Sequence, residues 1–396
     1  MMYGYARYMS GVCPTNVLAG NLDELQEVDD GVFDRAQPYN IRRYGLASRW
    51  LARNNVHLVS TRMLIDLLVL VRQSRTGVVV HVSEFRSAAT VYGLAAKLIF
   101  KKRVRLVYSP FGGLHEKKSR LRTAYDLLLM KIFLENVDLS LMQNSHELDE
   151  YNSLLAKYNI TGACNNILPL HIEPLPADAD GWFFNDQKIP EVKAEVRAHL
   201  GLPGSSKIFC FLGRFHPKKG ITRAIDLFCA WKEKSGDTSA QFVIIGRDEG
   251  FEAQIRAHAA RCPYATDVQI VTNVYGDRFY WFYAADVFIG VPTMFEETML
   301  SSLEALACGT PVFLSREADA PYVEEERAGR VVDFDQGSPL GAFEELVGRL
   351  PAASVNARIC ARHFEIKQVL VDFQNVVAGC AADISASTPR PDSASA

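Results

Sequence analysis

Four side chains of this sequence have the types and spacing to hold a phosphate-bearing, hydroxyl-rich ligand. They are Arg214 and Lys219, with Gly220 directly after, and the carboxylate pair Glu296 and Glu304. An arginine offers a planar fork of donors and a lysine a point charge, together a clamp for a diphosphate. The two carboxylates can accept hydrogen bonds from hydroxyls on either side of such a group.

Local chain patterns say which elements must carry them. The segment PTMFEETMLSSLEALACGTPVFL, Pro292 to Leu314, follows the apolar run Val287 to Val291 and reads strand, loop, helix. Thr298 is placed as N-cap of a helix from Met299 to Cys308, with Gly309 as its stop and Pro311 beyond. A helix start exposes free N–H groups and partial positive charge, which suit a phosphate, so Glu297, Thr298, Met299 and Leu300 join the candidate donor-binding set. Glu304 falls roughly 8 to 9 Å along that helix, within reach of a ribose. Glu296, in the loop before it, can reach a sugar beyond the second phosphate.

The second segment, CFLGRFHPKKG, runs from an apolar strand Ile208 to Leu212 into Gly213, Arg214, Lys218, Lys219 and Gly220, then into an amphipathic helix from Ile221 to Lys232. Ligands of open parallel sheets bind beyond the carboxyl ends of the strands, where Arg214 and Lys219 would stand. Lys218 reads as solvated and His216 as loop structure.

Further runs of strand length, Val78 to Val82, Val104 to Ser109, Leu139 to Gln143, Phe242 to Ile245, Val268 to Val271 and Pro311 to Leu314, alternate with amphipathic stretches. That alternation predicts an α/β fold with parallel sheets. With 396 residues two domains are expected, the first spanning 1–175 and the second 189–365. A helix over 366–384 is expected to pack back on the first domain, and 385–396 reads as a disordered tail. The helix-breaking stretch Pro174 to Pro190 is the expected linker. Met1 to Val12 provides only a weak opening strand, so either that strand is degenerate or the true start lies upstream.

The net charge of −3 gives no attraction to nucleic acid, and no finger or arginine-rich arm supplies one. No apolar run approaches the roughly 20 residues a membrane-spanning helix needs, and no leader pattern is seen. The eight cysteines are scattered without a CxxC pair and read as reduced thiols of a cytoplasmic protein. The pairs Asp178/Asp180 and Asp333/Asp335 could suggest a metal. No metal or other cofactor is expected, since Arg214 and Lys219 already bring positive charge. Between Lys97 and Arg122 the chain is locally basic, which lets the first domain approach an anionic membrane or a lipid-diphosphate acceptor. A solvated basic face explains the same run.

The two segments resemble glycosyltransferase family 4, the large retaining GT-B family, over most of Leu200 to Asp335. The family's Arg-x4-Lys-Gly pattern stands as Arg214, Lys219 and Gly220, and its Glu-x7-Glu pattern as Glu296 and Glu304, the latter opening EALACGTPV. The resemblance implies GT-B architecture, two Rossmann-like domains facing each other across a cleft. It further implies a diphosphate met by Arg214 and Lys219, sugar hydroxyls met by Glu296 and ribose hydroxyls met by Glu304. Where the family has glycine, aromatic, glycine after the first Glu, this chain has Glu297, Thr298 and Met299. In the first half HVSEFRS (His81 to Ser87), SPFGGL (Ser109 to Leu114) and QNSHE (Gln143 to Glu147) are similar to family segments. The family's His-Gly is here Phe111-Gly112. His81, Phe111, Gly112 and His115 are therefore the candidates on the acceptor or sugar side.

The expected activity is transfer of a hexose, with retention, from a UDP- or GDP-sugar to a growing envelope or extracellular glycan, free or lipid-linked. Glu296, Arg214 and Lys219 are the expected catalytic residues. A non-catalytic nucleotide-sugar binder and a nucleotide-sugar isomerase on the same fold are the alternatives.

Overall fold

The computed structural model describes residues 6, 9–11, 13–20, 38–45, 60–83, 87–111, 126–167, 189–272, 278–296, 299–365, 369 and 371. The chain divides into two compact units, Met1–Pro169 with Ile366–Ala396, and Leu170–Glu365. Every strand pair among the described residues is parallel.

In the first unit β1 (Asn16–Gly20) pairs with β2 (Asn40–Tyr44). The opening strand thus lies after Met1 to Val12, where Ala6, Met9 and Ser10 are helical instead. Helix α1 (Thr61–Gln73) precedes β3 (Val78–Ser83), α2 (Ala88–Phe100), β4 (Val104–Ser109), α3 (Lys131–Asn136), β5 (Leu139–Met142), α4 (Ser145–Lys157) and β6 (Asn165–Ile167). Strands β3 to β6 form one sheet in chain order. Its core gathers Val80, Leu106, Tyr108, Phe133 and Tyr151. The QNSHE segment has a structural task here. Asn144 caps α4 by accepting from the Glu147 N–H at 2.8 Å, and Glu147 reaches back to the Gln143 N–H at 2.7 Å.

The second unit opens with α5 (Ile189–His199), so Pro190 sits in a first helical turn, where its missing N–H costs nothing, and is no part of a linker. Residues 174–188 of the expected linker, the tail over 385–396, and the terminal helix apart from the helical Val369 and Val371 lie outside the described residues. There follow β7 (Ile208–Leu212), α6 (Ile221–Ser235), β8 (Gln241–Gly246), α7 (Glu252–Ala259), β9 (Val268–Thr272), α8 (Arg278–Ala284), β10 (Val287–Gly290), α9 (Leu300–Ala307), β11 (Val312–Ser315), α10 (Tyr322–Glu325), β12 (Gly329–Val332), α11 (Pro339–Gly348) and α12 (Leu350–Arg362).

The six strands lie in the order β12-β11-β10-β7-β8-β9. The chain winds outward from β7 to β9, then returns to lay β10 on the other side of β7, in the register Val287 to Phe209. Ligands of such sheets bind beyond the carboxyl ends of the strands at a reversal of this kind, here between β7 and β10. Phe209 anchors the core beneath it, meeting Phe228, Trp231 and Phe343 edge-on at 6.0, 5.0 and 5.2 Å between ring centres. At the amino ends Asp286 accepts from Lys193 at 2.9 Å, Arg197 at 2.7 Å and the Ile208 N–H at 2.8 Å, tying α5 to the start of β7.

Two expectations from composition are corrected. Cys229 on α6 and Cys262 just beyond α7 form a disulfide, with Cα atoms 6.5 Å apart, and Cys164 is disulfide-bonded as well. The packing of α6 against α7 brings the first pair together, which spacing in the chain does not show. The thiol argument for a reducing compartment therefore fails for these residues. Lys97, counted in the basic run, is turned inward, donating to Asp138 at 2.6 Å and to the Val104 carbonyl at 2.9 Å. Lys117, Lys118, Arg120 and Arg122 lie outside the described residues. No helix among the described residues is long and apolar enough to cross a membrane.

Candidate functional site

Three loops meet at the carboxyl ends of β7, β8 and β10. Gly220 joins two of them. It takes a left-handed φ of 65°, and a Cβ there would stand 1.8 Å from the Val291 carbonyl oxygen. Only glycine allows both the turn and so close an approach. The contact is sealed by the Thr293 N–H donating to the Lys218 carbonyl at 2.9 Å. The β8 loop is joined in turn, since a Cβ on Gly246 would lie 1.8 Å from the Gly213 carbonyl, and the Phe215 N–H donates to Arg247 at 2.8 Å.

This closure places the cations and carboxylates together. Lys219 Nζ lies 2.9 Å from Glu296 Oε1, and Lys218 Nζ 3.4 Å from Oε2. Lys218 is thus turned toward the carboxylate, not solvated as the sequence suggested, because its carbonyl is pinned to the β10 loop. Glu296 is buried, its N–H held by the Glu317 carbonyl at 2.8 Å, and its Oε2 accepts no hydrogen bond. A buried acceptor in that condition is costly unless a ligand donor satisfies it. Burial pushes the Lys219 ammonium pKa down, and its hydrogen bond to Glu296 opposes that shift.

Arg214 stands on the other side of the same loop, its side chain 52% exposed, donating through Nη1 to both oxygens of Glu249 at 3.1 and 2.9 Å. Burial raises the Glu249 pKa, but the guanidiniums of Arg214 and Arg247 outweigh it and hold the carboxyl below its ordinary range. Glu304 is buried on α9 and accepts from Arg278 Nη2 at 3.2 Å. Glu249, Arg247 and Arg278 were not singled out in the sequence. An acid directly after a predicted strand, as in IIGRDEG, was the available signal for the first two.

Helix α9 begins at Leu300, and Met299 occupies its cap position without a side-chain hydrogen bond. The helix thus starts one residue later than the expected Met299. The buried Met299 instead packs its sulfur over Gly290, where a Cβ would lie 2.5 Å from it, and that packing sets the helix start one residue later. Gly309 takes a left-handed φ of 74° after the helix, as a stop should. Glu297 and Thr298 lie outside the described residues.

In the first unit His81 lies near the end of β3, its Nε2 2.8 Å from Ser109 Oγ at the end of β4. Burial pushes its pKa down to about 4, so the ring is neutral at pH 7. Phe111, just past β4, holds a left-handed φ of 47°, uncommon for an aromatic residue. Gly112 and His115 lie outside the described residues. Asp333 spends its carboxylate on the Asp335 and Gln336 N–H groups and on Arg316, a capped turn. Asp178 and Asp180 are outside the described residues.

Residues 192–337 match the family model described as "Glycosyl transferases group 1", so the second unit carries a glycosyltransferase group 1 domain. The D-inositol 3-phosphate glycosyltransferase of Acidothermus cellulolyticus is 29% identical over 177 residues, 43% of this chain and 39% of that protein. The protein of the same name from Corynebacterium jeikeium is 25% identical over 218 residues, 50% of this chain and 46% of its own. The chain thus spans less than half the length of these curated relatives. Among solved structures, Anabaena HepE in complex with UDP superposes with a TM-score of 0.67 at 13% identity, covering 96% of this chain and 95% of that one. The sucrose-phosphate synthase of Thermosynechococcus elongatus gives 0.66 at 15% identity, covering 96% and 92%. The fold is thus the α/β, parallel-sheet fold of GT-B glycosyltransferases.

Proposed function

We propose that this protein is a retaining hexosyltransferase that takes its sugar from a UDP- or GDP-sugar bound in the second unit. The observation that carries this is Lys219 paired with the buried Glu296 at the strand-order reversal, with Arg214 on the same β7 loop and Glu296 Oε2 accepting no hydrogen bond, its nearest cation being Lys218 Nζ at 3.4 Å. Arg214, Lys219 and the start of α9 meet the diphosphate, and Glu304 meets the ribose. Glu296 then receives a sugar hydroxyl on its unsatisfied oxygen. As the bond to the sugar breaks, charge growing on the departing diphosphate is stabilised by these groups, already oriented before reaction. The leaving phosphate takes the acceptor proton.

HepE has been solved with UDP-glucose, which makes that donor the first to try. The acceptor is a glycan or lipid-linked glycan of an envelope or extracellular polymer. The named relatives' inositol phosphate belongs in the same acceptor panel. No metal or other cofactor is required. Exposed Leu98, Ile99, Leu127 and Leu128, with Lys101 and Lys102, support peripheral contact with the inner face of an anionic membrane. Salt-independent failure to pellet with anionic liposomes would remove that part.

The test is thermal unfolding with UDP-, GDP- and ADP-sugars, followed by turnover with the donor that binds. A ligand at about 100 times its Kd stabilises by about 2.7 kcal/mol, a readily seen rise in Tm. Donor turnover that survives both Arg214→Ala and Glu296→Ala would refute the assignment. Binding without any transfer would favour a non-catalytic binder, and donor conversion without an acceptor an isomerase.

A further inference from the structure

Glu249 belongs to neither of the two motif segments, CFLGRFHPKKG and PTMFEETMLSSLEALACGTPVFL, yet it is the partner of the arginine on which the donor reading depends. Its placement is built rather than incidental. The Glu249 N–H donates to the Phe215 carbonyl at 3.3 Å, and the fully buried Phe215 is bridged in parallel to Asp248. Asp248 in turn closes the turn that leads into α7, its Oδ1 accepting from the N–H groups of Gly250, Phe251 and Glu252 at 2.9, 2.8 and 2.9 Å. Glu249 therefore stands on a closed turn tied to the same loop that carries Arg214.

The bonding pattern at the guanidinium is one-sided. Both oxygens of Glu249 lie on Nη1 of Arg214, and Nε and Nη2 make no hydrogen bond among the described residues. A blocking counterion would occupy the two-pronged edge of the fork. This one takes a single nitrogen and leaves Nε and Nη2, with three N–H groups between them, for an anion. Arg247 Nη2 lies 3.4 Å from Glu249 Oε1, so two cations share this one carboxylate.

The geometry points to Glu249 as a positioning residue that orients Arg214 for a nucleoside diphosphate, an assignment that rests on the donor reading above. An arginine side chain that is half exposed and unheld would lose rotamer freedom on meeting the ligand. Held by Glu249, it has lost that freedom beforehand.

The experiment is calorimetric binding of UDP and GDP to the full chain and to Arg214→Ala, Glu249→Ala, Glu249→Gln and the double variant Arg214→Ala/Glu249→Ala, each checked by thermal unfolding. Glu249→Ala is expected to weaken binding about fivefold, the scale of a surface ion pair. Glu249→Gln, which keeps one acceptor oxygen, should recover part of that loss. The double variant should bind no more weakly than Arg214→Ala alone, because the two residues act through one contact. Losses that add in the double variant, or tighter binding by Glu249→Ala, would overturn the assignment while leaving the donor reading intact. Wild-type protein that binds neither nucleotide would sink the donor reading itself.

Discussion

Replacing Gly220 by alanine should do two separable kinds of damage. The left-handed φ of 65° costs an L-residue about 1–2 kcal/mol. The added Cβ would also lie 1.8 Å from the Val291 carbonyl oxygen and 2.8 Å from its carbon. Those are backbone atoms, so the β7 and β10 loops must part by roughly 1 Å. The Thr293 to Lys218 hydrogen bond would be lost, about 0.5–1.5 kcal/mol more. The sum is about 1.5–3.5 kcal/mol, which for a unit of this size lowers Tm by roughly 3–14 °C. Gly236 supplies the control, because its φ is 68° but no atom lies within 4 Å of its would-be Cβ. Gly236→Ala should show the strain alone. Donor binding should fall in Gly220→Ala, where Lys219 is carried away from Glu296, and hold in Gly236→Ala. Equal loss of stability in the two variants, with donor binding unchanged in both, would refute the claim that this glycine joins the loops.

Lys219→Ala should weaken donor binding by about tenfold or more, the scale of a hydrogen bond to a charged group, and Lys218→Ala by distinctly less, measured by calorimetry. Asp286→Asn should cost about 3–5 kcal/mol at pH 7 in urea unfolding, since it strands two cations against β7. Burial raises the Asp286 pKa, but Lys193 and Arg197 more than offset it and hold the carboxyl below its ordinary value of 3.8. Its contribution is therefore present above that value and lost as pH falls through the lower folded value, and the variant should lack this acid-side loss. The His81 ring should titrate near 4 by NMR; because that lies below its unfolded value of 6.5, stability of the first unit should decline as pH drops from 6.5 toward 4. A normal His81 titration would contradict its enclosure.

Most strands, and the positions of the candidate site residues after them, were legible because each rests on local pattern. Apolar runs of strand length ending in glycine or a charged loop mark β7 and β10 without any tertiary information; Arg214, Lys219 and Glu296 fall in the loops after such runs, and Glu304 in the helix that follows. The strands β1, β2 and β6 escaped because they are short and mixed in polarity, as in NIRRY and NNI, so neither alternation nor an apolar run announces them. The start of α9 was misplaced by one residue because a threonine favours a cap locally, while the packing of Met299 over Gly290 decides the outcome.

Local periodicity determined the α/β class, the strand-loop-helix segments and the chemical types at their ends, since backbone preference and burial act within a few residues. Strand order was decided only by the tertiary structure, because an apolar strand has no preferred neighbour until the whole sheet forms. That order sets β10 against β7 and so brings Glu296 to Lys219. It likewise chose Glu249 as partner to Arg214, turned Lys218 inward and joined Cys229 to Cys262, for charge and sulfur pair by distance in space, which spacing along the chain does not encode.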